Sequence, residues 1–499
     1  MRFGSPLVTS RSSVLVLSST QPTTSTRFGW GKGIGARLLP RLALLPLLVL
    51  GIAAGALAQD SQTGFPPFGS YQSGQFDTVN LQNLNVGFSI PIVDVKGRAT
   101  SDFNFSISYN TSIWRISTLQ WTPVAGFWGW NLLEGAPVLT YDRKSGTCGK
   151  APGSFSQYSG FAVTGVDGTV HPFTVEFTRP TCSNGTSGAT TGYSSDGAGY
   201  YLNAAATGFV AYQPDGTQIS GTGGGGTNSQ TTDSNGNTLV MTWSTPSNEI
   251  TYTDTLGRTV LTITANGEIG SSNVSTLFYK YAAPGGTTET TTVNYSSFNV
   301  RTNFGCSGIT EGGGTGIYMP VSVAYPNGQS YSFSYEATPG YSGYVTGRIQ
   351  RVTLPTGGYY EYDYPGANDS ISCAAAEASI PQDIITQLTR NVSDGSKTLT
   401  YAYGVNYPTT PAQTTMSVSA NPVDSSIAQT IVTTFSSGNL ETSRQVYQGS
   451  TLLRTVNTTW SENSTYLVPS AKVTILEDGK TQSETDTTWL YAGIPLQVT

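Results

Sequence analysis

Charge is scarce in this chain. Asp, Glu, Lys and Arg make up 11% of 499 residues, with 24 basic against 30 acidic side chains. A basic footprint able to hold nucleic acid or an anionic membrane surface is therefore not expected. The strong helix formers are thin beyond the first sixty residues, which argues against long helices. Histidine occurs once, at His171. A Ser-His-Asp triad would have to use it, yet no Gly-x-Ser-x-Gly elbow accompanies it, and His171-Pro172 reads as a strand-edge pair. Cysteine occurs four times, as Cys148, Cys182, Cys306 and Cys373, with no Cys-x-x-Cys spacing for zinc or redox work. No cofactor and no metal site are expected.

What the chain has in quantity is Gly (58 residues), Ser, Thr, Asn and Tyr (28 residues). Arg37 and Arg41 precede the apolar run Leu42 to Leu57, which ends in Ala56-Leu57-Ala58 before Gln59. That is the layout of a secretory signal peptide cleaved after Ala58, so residues 1–58 form a leader. The expected location is outside the cell or on its surface, with membrane contact only through an uncleaved leader. Cleavage removes six basic residues and no acidic ones; 24 less 6 leaves 18 against 30, a net charge of about −12. In an oxidising compartment an even cysteine count favours disulfides. Proximity in sequence favours Cys148–Cys182 and Cys306–Cys373, with free buried thiols as the alternative.

Short alternating runs separated by turn signals recur from Asn80 onward. Phe103, Phe105, Ile107 and Tyr109 alternate, as do Tyr360, Tyr362 and Tyr364. Period two puts each set on one face of a strand. Seven Asx-Gly pairs punctuate the chain, at Asp167, Asp215, Asn235, Asn266, Asn327, Asp394 and Asp478. They predict antiparallel hairpins closed by two-residue type I′ turns. The fold class expected is all-β, an antiparallel meander. Its regions are an aromatic-rich 59–145 (Trp114, Trp121, Trp128, Trp130), a Gly/Ser/Thr-rich 146–316 and a repeat-bearing 317–499. One helix is expected, over Ala374 to Leu388, interrupted by Pro381.

The clearest unit runs from Gly347 to Tyr364: Gly347-Arg-Ile, Val352-Thr-Leu-Pro355-Thr-Gly-Gly358, then Tyr360-Glu-Tyr362-Asp363. Weaker copies start near Thr253, Tyr325 and Gly438, roughly one hairpin per twenty residues. This unit resembles the YD repeat of the Rhs family. The stretches Gly64 to Ser70 and Asn85 to Pro91 are similar to the start of secreted bacterial Rhs-repeat proteins. The resemblance implies hairpins accumulating into an extended curved sheet or partial β-shell. It also implies envelope or cell-contact roles, with a separately encoded Rhs core or effector as partner. The departure expected from the family is a chain stopping at Gln497-Val-Thr499 without the C-terminal core motif or toxin.

Candidate chemistry is sparse. Glu361 and Asp363 share a strand face, as the two carboxylates of a glycosidase face one bond, but read better as a solvated face opposite the tyrosine wall. Glu176 and Glu336 are isolated. Asp233-Ser-Asn235-Gly236-Asn237 lacks the glycine and glutamate positions of an EF-hand and reads as a turn. The run Gly223–Gly226 lacks a phosphate-loop Lys and reads as a linker. The rings of Tyr360, Tyr362 and Tyr364 are the candidate ligand-binding surface, with surface glycans as the partner. The expected function is a non-catalytic exported scaffold or shell. A carbohydrate-binding β-sandwich adhesin and a secreted glycoside hydrolase are the alternatives.

Overall fold

In the computed structural model the described residues are 64–499, less 96–102, 125–127, 149–152, 181–188, 206, 222–227, 245–246, 271–273, 284, 374–384, 407–411, 421–427, 437–439, 464–465 and 490–494. The leader with its Ala58 cleavage site, Cys182 and the glycine run therefore lie outside them. Among the described residues the chain is almost wholly antiparallel β, as its alternation predicts. The expected helix is corrected at its C-terminal end. Gln387–Ser393 is a strand paired with Tyr359–Asp363, so Leu388 is not helical; 374–384 lies outside the described residues.

Residues 190–498 form one 23-stranded sheet, each strand bonded to the next in sequence from Thr190–Tyr193 to Pro495–Val498. The turns that join them correct the type I′ expectation. In Gln213-Pro-Asp-Gly-Thr217 the Gly216 N–H donates to the Gln213 carbonyl (3.0 Å) and the Gln213 N–H to the Thr217 carbonyl (2.8 Å). The same pair of bonds closes the turns at 165–169, 233–237, 254–258, 283–287, 325–329, 354–358 and 476–480. Gly216 has φ +88° while Asp215 is not left-handed. This is a type I turn followed by a glycine bulge. In three of these turns Pro214, Pro326 and Pro355 enforce it, since their φ near −65° suits the first central position of type I and is excluded from type I′; the turns at 165–169, 233–237, 254–258 and 476–480 take the same form without a proline. The Asx side chain then caps the bulge, as where Asp215 Oδ1 accepts the Thr217 N–H at 2.9 Å.

Two smaller sheets cover the inner face of the large one. Val138–Thr147, Ser154–Thr164, Val170–Pro172 and Phe177–Pro180 make a four-stranded sheet. Its Phe161, Val163 and Phe177 pack on Leu202, Phe209 and Ile219. Tyr71–Ser73, Asp77–Asn80, Val86–Val95, Phe103–Asn110 and Trp130–Asn131 make a five-stranded sheet. Its aromatic residues fill the main core.

That five-stranded sheet requires the large one to curve. Phe103 lies 5.4 Å from Tyr252 in ring-centroid distance, and Phe68 lies 5.5 Å from Trp489. Tyr252 and Trp489 sit fifteen strand-to-strand steps apart, about 70 Å on a flat sheet at ~4.8 Å per step. Phe68 and Phe103 are separated by three steps and about a dozen residues, roughly 45 Å at most. The large sheet closes that difference by wrapping around the segment. Tyr193, on its first strand, shares a small apolar cluster with Val468, Trp489 and Phe68, so its two ends approach each other.

Candidate functional site

The site of interest is the inner seam where the 64–136 segment meets the wall. Tyr360, Tyr362 and Tyr364 form the expected row, and the row faces inward with exposures of 6%, 0% and 6%. Phe76 lies against Tyr360, ring centroids 5.1 Å apart and tilted by 41°. Tyr362 donates its hydroxyl to Asp77 Oδ2 at 2.8 Å. The Arg348 guanidinium lies 3.8 Å over the Tyr364 ring. A sugar-stacking platform needs open ring faces, and these rings are covered by the chain itself.

Two buried arginines organise the seam. Arg390 lies between Leu388 and Val392 on a strand whose apolar face points inward, and it is 3% exposed. It grips Asp77 with both branches, Nε to Oδ2 at 2.6 Å and Nη2 to Oδ1. Such a two-pronged carboxylate clamp is the strong, geometrically specific form of an ion pair. Its location, 313 residues along the chain, ties the N-terminal segment to the wall.

Arg348 is fully buried and faces two carboxyl groups. Its Nε donates to Glu336 Oε2 at 2.8 Å, and Nη1 and Nη2 donate to the Asp369 carbonyl at 3.1 Å. Asp369 Oδ2 lies 2.8 Å from Nη2 but out of line for a hydrogen bond. Burial pushes the Asp369 carboxyl up to about 7; neighbouring Glu336 pushes the same way, and Arg348 pulls against both. Asn368, Asp369 and Ser370 are all left-handed, at φ 54°, 56° and 59°. Each costs about 1–2 kcal/mol in a non-glycine residue. The surroundings hold them: Gly366 N–H bonds Ser370 Oγ at 2.7 Å and Thr386 N–H bonds the Ser370 carbonyl at 2.7 Å. The Cys306–Cys373 disulfide closes the same corner.

Cys306–Cys373 forms as expected, and Cys148 is also disulfide-bonded. Glu361 lies on the face opposite Tyr360 and Tyr362, part-exposed, with Arg351 at 3.9 Å. Asp363 shares that face; burial raises its carboxyl pKa and Glu361 adds to the shift. Asp233 spends its oxygens inside its own turn, on the Asn235 N–H (2.9 Å), the Asn237 N–H (2.8 Å) and the Asn237 amide (2.7 Å). His171 is on an edge strand but buried, with Nδ1 2.6 Å from Asp196 Oδ2 and its ring stacked on Tyr200 at 4.2 Å. Glu176 meets Gln157 at the surface, 3.3 Å away. Among the described residues no group of three His, Cys, Asp or Glu is placed to hold a metal.

Sequence reasoning missed Asp77, Arg348, Asp369 and Arg390. The signal for Arg390 was present: a charge between Leu388 and Val392, on the apolar parity of its strand.

No family model matches this chain, and no curated protein does. Among solved structures it is similar to a porin-like protein from Bacteroides uniformis ATCC 8492, at 11% identity and a TM-score of 0.22. The match covers 62% of this chain and 96% of that one. A likeness of that strength bears on neither fold nor function.

Proposed function

We propose that this chain is an exported, non-catalytic scaffold of the Rhs/YD-repeat kind, a β-wall wound around its own N-terminal segment. One observation carries the reading: the wall packs its inner face on strands of its own N-terminal part, from Phe103 against Tyr252 to Phe68 against Trp489. A wall whose inner aromatic rows and buried arginines, Arg348 and Arg390, are engaged by its own chain serves as a rigid body. Its outer surface is free of these contacts, and there surface glycans or a separately encoded Rhs core or effector would meet it.

The test is export with processing. The full chain is produced in a bacterium, intact cells are treated with protease, and the N-terminus of the mature protein is sequenced. The expected outcome is a protease-accessible or released protein beginning at Gln59. A full-length protein held in the cytosol would overturn the exported-scaffold reading.

A further inference from the structure

A cavity of about 270 Å³ opens where Gly69 and its neighbours meet the strands Glu441–Gln448, Thr451–Asn463 and Tyr466–Leu476. The register decides its charge. Arg444 pairs with Val456, Val446 with Arg454, and Thr458 with Lys472. Alternation therefore puts Arg444, Arg454 and Lys472 on one face of three adjacent strands. The carboxylates of the following strand fall on the other face, since Glu484 pairs with Val473 and Asp486 with Ala471. Three cations gather here in a chain of net charge −6.

One carboxylate answers them. Glu441 Oε2 accepts from Arg444 Nη2 and from Ser70 Oγ, each at 2.5 Å. Arg454 and Lys472 line the cavity with no ion-pair partner among the described residues, and both are exposed. The apolar side is Trp460, fixed by Nε1 donating to the Glu441 carbonyl at 2.7 Å and set edge-to-face on Phe68 at 6.3 Å. A second cavity, of about 300 Å³ between the turns 233–237 and 254–258, differs in this respect. Its charges are used internally: Asp254 holds Arg258, and Asp233 holds Asn237.

We propose that the cavity bounded by Arg454, Lys472 and Trp460 binds an acidic saccharide through its carboxylate. The Arg454 fork matches a carboxylate in two-point geometry, and Lys472 supplies a second positive charge. Trp460 offers an apolar surface to the C–H face of a sugar ring. The volume lies just under the ~300 Å³ at which pockets for drug-sized ligands begin, which fits a small ring-bearing acid. The aromatic side is what favours such an acid over a bare inorganic anion. The site stands independently of the scaffold reading.

The test is calorimetric titration of the full protein with trigalacturonate, maltotriose and inorganic phosphate. Trigalacturonate is expected to bind, more weakly as salt is raised, and maltotriose is not. Arg454→Gln and Lys472→Gln are each expected to weaken binding about tenfold with an unchanged circular dichroism spectrum, since both side chains are exposed. Trp460→Phe checks the apolar wall, with a loss for trigalacturonate and none for phosphate. Equal binding of maltotriose, phosphate binding as tight as trigalacturonate, full affinity in the Arg454→Gln/Lys472→Gln double variant, or no binding of trigalacturonate would each overturn the proposal.

Discussion

Replacing Asp77 by Ala removes the single carboxylate that the buried Arg390 grips with two branches. The guanidinium is then left 3% exposed and without its counter-charge. Breaking a buried pair from one side costs about 3–5 kcal/mol. Tyr362 also loses its acceptor, worth about 1–3 kcal/mol for a buried hydroxyl. Two effects pull the sum down. The losses share one network and do not add. Arg390 also keeps Tyr401 at 4.6 Å and Tyr360 at 5.3 Å, each worth ~1 kcal/mol to a desolvated cation. The expected loss is therefore about 3 kcal/mol, read as the shift of a urea unfolding curve followed by tryptophan fluorescence. The companion is the apolar triple variant Asp77→Leu/Tyr362→Phe/Arg390→Met, in which no polar group is stranded. It is expected to regain most of the loss, because well-packed apolar replacements of buried pairs are often neutral or stabilising. An Asp77→Ala cost below about 1 kcal/mol, or a triple variant weaker than the single one, would refute the reasoning.

Removing the Cys306–Cys373 bridge by a double Ser substitution frees a loop spanning 67 residues, which the chain-entropy relation puts at about 4 kcal/mol; a urea midpoint unmoved by reductant in the wild type would contradict this. Asp369 has a folded pKa raised to about 7 against an unfolded value near 3.9, so the folded state holds a proton the unfolded state has lost across that window. Its stability contribution is complete below about pH 4 and lost as pH rises towards 7; unfolding curves at pH 5 and pH 7 should differ more for the wild type than for Asp369→Asn, and equal differences would count against the assignment. Gly236 has φ +83° with open space where a Cβ would go, so Gly236→Ala should cost only the left-handed penalty of about 1–2 kcal/mol, and Gly236→Asn less; equal losses for both would show that the turn is not left-handed there.

Much of the wall was legible, because alternation and turn chemistry are local. Phe103 to Tyr109 and Tyr360 to Tyr364 announced their inward faces by period two alone. The Asx-Gly pair at Asp215 does not by itself set the turn class, because Pro214 before it fixes the type I geometry. What the rings face was not legible. The inward row at Tyr360 looked like a surface because its cover, Phe76, lies almost three hundred residues earlier in the chain. Asp77–Arg390 and Ser70–Glu441 are separated by 313 and 371 residues, and no local pattern encodes such pairs. The cationic face at Arg444, Arg454 and Lys472 was hidden for another reason. It exists only once the register of three strands is known.

The buried charges bear on a difficulty intrinsic to a long meander. A strand that slips by two residues keeps every side chain on its proper face, so alternation alone penalises such a slip little. Along Gln387–Ser393 a two-residue slip would bring Leu388 or Val392 to Asp77 and strand a buried carboxylate. That costs several kcal/mol, where swapping one apolar contact for another costs far less. We therefore infer that Asp77–Arg390 serves register more than stability. The consequence separates the two roles in the apolar triple variant. Its unfolding free energy should stay near that of the wild type, while amide exchange in Tyr359–Asp363 and Gln387–Ser393 speeds up as alternative pairings become accessible. Wild-type protection of those two strands in a variant of wild-type stability would show that apolar packing by itself sets the register.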